Sequence, residues 1–288
     1  SIVLFLLAAL PVMTVALAQG EQPGKQLPAV TEPGESQAPD AYNLYEVESN
    51  NTRALADMMG LRDVMGGKMG VAGDVDYFKF NMPDDPGYVL IDIEAYSIGS
   101  PMDPVVCLEN SGGPTLACND DTDTVDSLVY RGLYAGTYYI KVVDYWDDGG
   151  ADYNYELILS SPLLISASAA NLGSATVAGI PFKSEDILAH SDLNTGAQKW
   201  VMFFDGSDVG ITKNVTNIAM NGADGQILLS LAANLTLPSV GVVKPWDIVV
   251  FDGSKYGPTT EGTFLWGMVG GTQELTTSGE KLDGIDNF

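Results

Sequence analysis

Short β-branched and aromatic runs, cut by Gly, Pro, Asp and Asn about every 8–12 residues, govern what the middle of this chain can fold into. The runs are 77–81, 88–95, 104–108, 127–130, 137–143 and 153–159. Each is too short for a helix and too apolar for a loop, so the expected fold is all-β: an antiparallel, jelly-roll-like β-sandwich over residues 42–160. One stretch, 52–59, reads as a short helix with Asn51 or Thr52 as its N-cap. Residues 161–176 are small and mixed, a linker or the first strand of the second region. From 177 to 288 strand-like runs recur at 186–190, 199–204, 217–220, 226–231, 247–251 and 263–268.

Within that second region the sequence repeats itself. Ser184-Glu185-Asp186-Ile187-Leu188 matches Pro245-Trp246-Asp247-Ile248-Val249, and 200–206 with Ser207 matches 264–271 with Thr272. Residues 212–218 correspond more loosely to 277–285. A period of roughly 60–65 residues with about four strands per unit is the size of a propeller blade, so the expectation is a β-repeat region of partial, propeller-like blades.

Charge narrows the function. With 38 Asp+Glu against 13 Lys+Arg the formal net charge is −25, which excludes a binder of nucleic acid backbones. One His in the chain disfavours histidine-based catalysis, and His190-Ser191-Asp192 cannot converge as a triad because the three are adjacent. No nucleophile elbow, zinc-protease, P-loop or Cys-His pattern is present. The reading is non-catalytic.

Export is expected from the first 18 residues, SIVLFLLAALPVMTVALA, an uncharged apolar run ending in Ala16-Leu17-Ala18, the form of a secretory signal. A membrane anchor of bilayer length is the rival reading, against which Pro11 interrupts the run. No other membrane contact is expected. Residues 19–41, rich in Pro, Gly, Gln and Glu, read as an extended linker. Cys107 and Cys118 flank Ser111-Gly112-Gly113-Pro114; in a hairpin closed there the thiols fall opposite each other, which suits a disulfide in an oxidising compartment. Two buried free thiols are the alternative, and a slip of one residue would part the pair.

Several motifs occur in order across the middle segment: Glu46-Val47-Glu48-Ser49-Asn50-Asn51-Thr52, Gly73-Asp74-Val75-Asp76-Tyr77-Phe78-Lys79-Phe80, Ser100-Pro101-Met102-Asp103-Pro104-Val105, Asn119-Asp120-Asp121, Gly136-Thr137-Tyr138-Tyr139-Ile140-Lys141-Val142 and Ala151-Asp152-Tyr153-Asn154-Tyr155-Glu156-Leu157. Together they resemble the bacterial pre-peptidase C-terminal domain, a secreted β-sandwich. The second region, through Phe204-Asp205-Gly206-Ser207-Asp208-Val209-Gly210, resembles repeat units of large bacterial surface proteins.

Read on their own, Asp74 and Asp76 share one side of a strand start and repel unless a cation lies between them. Glu46, Glu48 and Asn50 repeat the alternate-residue oxygen pattern. Combined, the clusters offer enough hard oxygen ligands for Ca²⁺. The resemblance implies calcium between these two segments, carried here by Glu46, Glu48, Asn50, Asp74 and Asp76, with Asn51 standing where some relatives have an acid. A solvated acidic face is the competing reading. A second, weaker metal candidate is the loop of Asp120, Asp121 and Asp123, which lacks the Glu and Gly of an EF-hand; Asp120 and Asp121 also suit a turn. Asp147-Asp148-Gly149-Gly150 reads as a hairpin turn.

An exposed set drawn from Tyr134, Tyr138, Tyr145, Trp146 and Tyr153 would make a flat aromatic binding face; the same residues also suit core and cross-strand packing. The function expected is an exported, calcium-stabilised binding module for an extracellular protein or polysaccharide matrix. The alternatives are the accessory region of a larger secreted hydrolase or peptidase, and a structural surface-layer or filament subunit.

Overall fold

The computed structural model describes residues 42–83, 87–122, 124–167, 176–221 and 225–273. The signal-like segment, residues 19–41 and the repeat match at 277–285 lie outside these. Among the described residues no helix is long and apolar enough to cross a membrane.

Residues 42–160 build two five-stranded sheets. The first runs β1 (Leu44–Tyr45), β3 (Asp63–Lys68), β10 (Asn154–Ser160), β5 (Gly87–Glu94), β8 (Leu128–Leu133). The second runs β2 (Asp57–Met58), β4 (Asp76–Met82), β9 (Gly136–Asp144), β6 (Pro104–Asn110), β7 (Thr115–Asn119). Pairing is antiparallel except at one edge of each sheet, where β1 lies parallel to β3 and β2 parallel to β4. Alternation on each strand sends one parity into the space between the sheets. Phe78, Phe80, Ile140, Val142, Val106 and Leu108 face Val89, Ile91, Ile93, Leu157, Leu159 and Met65 there.

The first sheet buries apolar side chains on its other face as well. Leu90, Leu128 and Tyr130 turn outward into a second core with Ile187, Phe203, Phe251 and Tyr256, and Val64 and Ile158 cover Leu193. Tyr130 packs edge-on against Phe203 at 4.5 Å between ring centroids, and its hydroxyl reaches Met220 Sδ at 2.9 Å. Polar ties join in: Ser191 Oγ donates to Ser160 Oγ at 2.9 Å, Asn194 Nδ2 to Asp63 Oδ1 at 2.7 Å, and Lys199 Nζ pairs with Glu94 and, at 3.2 Å, with Asp92. Of the two readings of residues 161–176, linker or first strand of the second region, Leu163–Ser166 takes the second, as strand β11.

Two expectations are corrected. The 52–59 helix is only a 3-10 turn, Arg53–Leu55, none of whose residues is buried; the chain then pairs as β2 alongside β4, which extends it instead of coiling it. Asp147–Gly150 is not a hairpin turn, since β9 and β10 belong to opposite sheets. The segment arches across the sandwich end, and Gly149 passes so close to the Val71 carbonyl that a Cβ would lie 2.2 Å from its oxygen. Cys107 and Cys118 pair directly across β6 and β7 and form a disulfide.

The second region begins with a three-stranded sheet, β11, β14 (Ile187–Asp192), β15 (Gln198–Phe204), succeeded by a four-stranded one, β16 (Val215–Asn221), β17 (Gln226–Leu231), β20 (Ile248–Lys255), β21 (Glu261–Met268). A small hairpin is inserted into each. β12 (Thr176–Val177) pairs with β13 (Ile180–Pro181) between β11 and β14, and β18 (Leu235–Leu237) with β19 (Gly241–Val243) between β17 and β20.

These two sheets share one geometry. Leu163, Leu164 and Ile165 oppose His190, Ala189 and Leu188 as Ile227, Leu228 and Leu229 oppose Phe251, Val250 and Val249. The same bulge follows: Ile187 and Leu188 face Phe204 and Met202, and Ile248 and Val249 face Met268 and Trp266. Asp186 takes the Lys183 amide on one oxygen and the Gly206 amide on the other, at 2.6 and 3.1 Å. Asp247 does the same with Lys244 and Gly270, each at 2.8 Å. Gly206 thus corresponds to Gly270, one residue earlier than the sequence match places it. A 3-10 turn starts at each glycine, Gly206–Val209 and Gly270–Gln273.

Candidate metal centre

The lead-in chain reaches the sandwich by pairing β1 alongside β3, which sets Glu46 beside residues 66–68. The Glu46 amide donates to the Gly66 carbonyl at 3.1 Å, and Glu46 Oε1 accepts the Lys68 amide at 2.7 Å. Further on, the Asn50 carbonyl accepts the Tyr77 amide at 3.0 Å, tying this segment to the start of β4. The loop between β3 and β4 wraps around Asp74, whose oxygens accept the Gly70 amide (2.7 Å), the Val75 amide (3.1 Å) and Asn51 Nδ2 (2.7 Å). Asn51 therefore orients Asp74, a role that the motif alone did not reveal.

Asp76 opens β4 and is fully buried, as is Asn50. Tyr155, on β10, crosses beneath them: its hydroxyl donates to Asp76 Oδ2 at 2.5 Å and approaches Glu46 Oε2 at 3.2 Å. Its ring fills the space over Gly67, where a Cβ would stand 2.2 Å from the Tyr155 Cζ. Tyr155 is a part of the site that sequence reading missed. Its only signal was a tyrosine at inward parity on a strand ending in an otherwise aliphatic core, and a buried phenol needs a polar partner.

One carboxylate oxygen from each of Glu48, Asp74 and Asp76 lies within 4.8 Å of the others. Burial pushes the Asp76 carboxyl up to about 9, with the Glu46 charge adding to it. Burial likewise lifts Glu46 to about 7, against the lowering effect of its hydrogen bonds. Among the described residues Asp76 Oδ1, Asn50 Oδ1 and Asn50 Nδ2 are buried without a hydrogen-bond partner. Buried polar atoms are rarely left so. Closely grouped carboxylates, orphaned oxygens among them and no nitrogen or sulfur ligand make a donor set that suits a hard divalent cation such as Ca²⁺.

The weaker metal candidate is not assembled in this way. Asp120 and Asp121 join no such three-oxygen group among the described residues; Asp123 lies outside them. The structural acid of that loop is Asp126, which accepts the amides of Ala95, Tyr96 and Ser97 at 2.8, 2.8 and 3.0 Å.

The aromatic face does not form as one surface. Tyr138 is buried, stacked on Phe80 at 5.7 Å, its hydroxyl given to the Tyr134 carbonyl. Strand parity decides this, since Tyr139 takes the outward position. Tyr134 precedes β9 while Tyr145 and Trp146 follow it, so the strand, roughly 30 Å long, separates them. Tyr153 is half-buried against the core. What stays exposed together is Tyr145 with Trp146, in a T-shaped pair at 5.0 Å. His190, the lone histidine, packs on Trp200 at 4.3 Å.

No protein-family model matches this chain, and no curated protein matches it. Among solved structures it is similar to the pre-peptidase C-terminal domain of a collagenase from Bacillus anthracis, at 18% identity and a TM-score of 0.31, over 36% of this chain and 94% of that one.

Proposed function

We propose that this chain is a non-catalytic accessory part of a larger exported hydrolase of the peptidase type, its sandwich made rigid outside the cell by Ca²⁺. The observation that carries the calcium reading is the buried acidic centre in which Asp76 Oδ1 and Asn50 Oδ1 have no partner among the described residues. Glu46, Glu48, Asn50, Asp74 and Asp76 would hold the ion, which would neutralise carboxylates that burial otherwise forces to keep their protons. The accessory role is supported by the ordered motifs shared with the pre-peptidase C-terminal domain. The disulfide agrees with an oxidising compartment, and the apolar leader with export. The repeated sheets fit the second resemblance, to repeat units of surface proteins.

A matrix-binding role is the second reading, favoured by the exposed Tyr145–Trp146 pair; aromatic pairs of this kind anchor interfaces. The deciding experiment is thermal unfolding of the chain in calcium, in magnesium and in chelator. A ligand bound only by the folded state stabilises by about 2.7 kcal/mol at a hundred times its dissociation constant, so a calcium-specific rise of several degrees is expected. Identical midpoints in calcium and chelator would dismiss the metal, and peptide hydrolysis by the purified chain would dismiss the non-catalytic role.

A further inference from the structure

The register of the second sheet brings three chain segments to one end of the sandwich. Pro104 opposes Asp144 across β6 and β9, and Val106 opposes Asn119 across β6 and β7. Asp103 just before β6, Tyr145 and Trp146 just after β9, and Asp120 and Asp121 just after β7 therefore meet there. One buried carboxylate fixes the backbone that carries the aromatic pair: Asp144 Oδ1 accepts the Asp103 amide, and Oδ2 accepts the amides of Trp146 and Asp148, each at 3.0 Å. The Tyr145 amide in turn donates to the Asp103 carbonyl at 2.7 Å. Tyr145 and Trp146 thus face solvent from a braced turn, 54% and 69% exposed. A pair held in this way has already given up backbone freedom that binding would otherwise cost.

The surrounding charges indicate what would bind. Asp103 is half-buried, and Asp120, Asp121, Asp147 and Asp148 are exposed. None of the five pairs with a lysine, arginine or histidine among the described residues. Burial raises the Asp103 carboxyl, and the charges of Asp121, Asp144 and Asp120 raise it further, against a hydrogen bond from the Trp146 side chain. What this patch lacks is positive charge. A chelated metal ion does not fit, because among the described residues these carboxylates bring no three oxygens within 4.8 Å of one another, and both oxygens of Asp144 are taken by amides. An organic cation does fit, since it can lie over an aromatic ring while reaching carboxylates that stand apart.

We propose that Tyr145 and Trp146 form a docking site for a basic segment of a partner protein, with an arginine side chain stacked on the Trp146 ring and its guanidinium against Asp103 and Asp121. Arginine suits the site better than lysine because its planar group stacks on a ring and pairs with a carboxylate at once. The site rests on the matrix-binding reading for its aromatic pair, and narrows that matrix to a protein bearing basic residues. It uses none of the calcium ligands.

Fluorescence anisotropy on the full chain tests it, in calcium-containing buffer at about 0.15 M salt, where long-range attraction is screened. The labelled probes are an arginine-containing glycine-serine peptide, its twin with citrulline, which keeps the shape and loses the charge, and the neutral sugar cellohexaose. The arginine peptide should bind, and the citrulline peptide should bind about tenfold more weakly or not at all. Trp146→Ala, which removes no charge, should weaken the arginine peptide about tenfold, and Asp121→Asn should weaken it several-fold. Glu261→Gln, which removes an exposed charge on β21, should change nothing. Circular dichroism checks that the variants keep their strands; should Trp146→Ala fail to fold, Trp146→Leu keeps the bulk and loses the ring. Equal binding by the unsubstituted and Trp146-substituted chains would reduce the attraction to net charge and overturn the site. Cellohexaose bound in place of the peptide, and lost in Trp146→Ala, would overturn the basic ligand and keep the matrix-binding reading. If neither probe binds, the site is overturned and the aromatic pair no longer supports that reading.

Discussion

The hydroxyl of Tyr155 donates to Asp76 Oδ2 at 2.5 Å, so a phenol reaching the acidic centre from the sandwich core holds one oxygen of its most deeply buried carboxylate, while the other has no partner among the described residues. Tyr155→Phe removes that donor and leaves Asp76 with only the neighbouring Glu46 carboxyl to pair with in the cation-free protein. The expected cost is about 1–3 kcal/mol in chelator, and less in calcium, where the ion takes over one oxygen. Chemical denaturation in both buffers measures the difference.

The pH dependence follows from the two raised carboxyls. A group whose folded value lies above its unfolded one contributes fully below the unfolded value and loses that contribution as pH rises through the folded one. With Glu46 at about 7 and Asp76 at about 9, the cation-free protein should lose stability steadily from near pH 4 up to about pH 9. Calcium replaces the protons, so the same scan with calcium should be flatter, and calcium affinity should tighten as pH rises. Unfolding midpoints at pH 5 and pH 8.5, with calcium and with chelator, show both trends.

Glu48 and Asp74 should separate metal binding from architecture. Glu48 is exposed, so Glu48→Gln should blunt the calcium-induced shift and leave the chelator midpoint nearly unchanged. Asp74 also organises its loop through the Gly70 and Val75 amides. Asp74→Ala should therefore lower the midpoint in both buffers, by about 1–3 kcal/mol without calcium. Differential scanning fluorimetry distinguishes the two patterns.

Gly206 and Gly270 should be equally intolerant of a methyl group. A Cβ at Gly206 would lie 2.3 Å from the Glu185 carbonyl oxygen, and one at Gly270 2.1 Å from that of Trp246. Backbone cannot swing aside as a side chain can, so each Gly→Ala change should cost about 2–4 kcal/mol. Gly271→Ala meets nothing within 4 Å and should be near neutral, which also checks the register of the repeat.

Lys199 is the ionic tie between the sandwich and the repeated sheets. Its side chain is 21% exposed and that of Asp92 10%. Lys199→Met leaves Asp92 without its cation and should cost about 1–3 kcal/mol. It should also pull a single calorimetric transition toward two.

How far the sequence could be read depended on what each strand faces. β4, β5 and β9 were legible because their residues alternate or run apolar between clear turn formers. β3 escaped notice because Gly66 and Gly67 look like breakers; Gly67 is needed for the Tyr155 ring to pass, a contact between residues far apart in sequence. β11 was half-visible, since a strand reads clearly only when its neighbours are known. At the acidic centre the grouping of Glu48, Asp74 and Asp76 was suggested by their spacing, but Tyr155 and the orienting role of Asn51 depend on which strands lie across from one another. The aromatic face failed for the opposite reason: parity along β9 and the length of that strand disperse residues that look clustered in sequence.

The sheet running from β1 to β8 buries apolar side chains on both sides, and this bears on how such a chain can be cut or inherited. A polypeptide ending at residue 160 would present Leu90, Leu128, Tyr130 and Ile158 to water, a sticky plane in place of an interior. The sandwich cannot be transplanted as a bead on a string. Any rearrangement that moves it must carry along the sheets packed behind it, or redesign that surface.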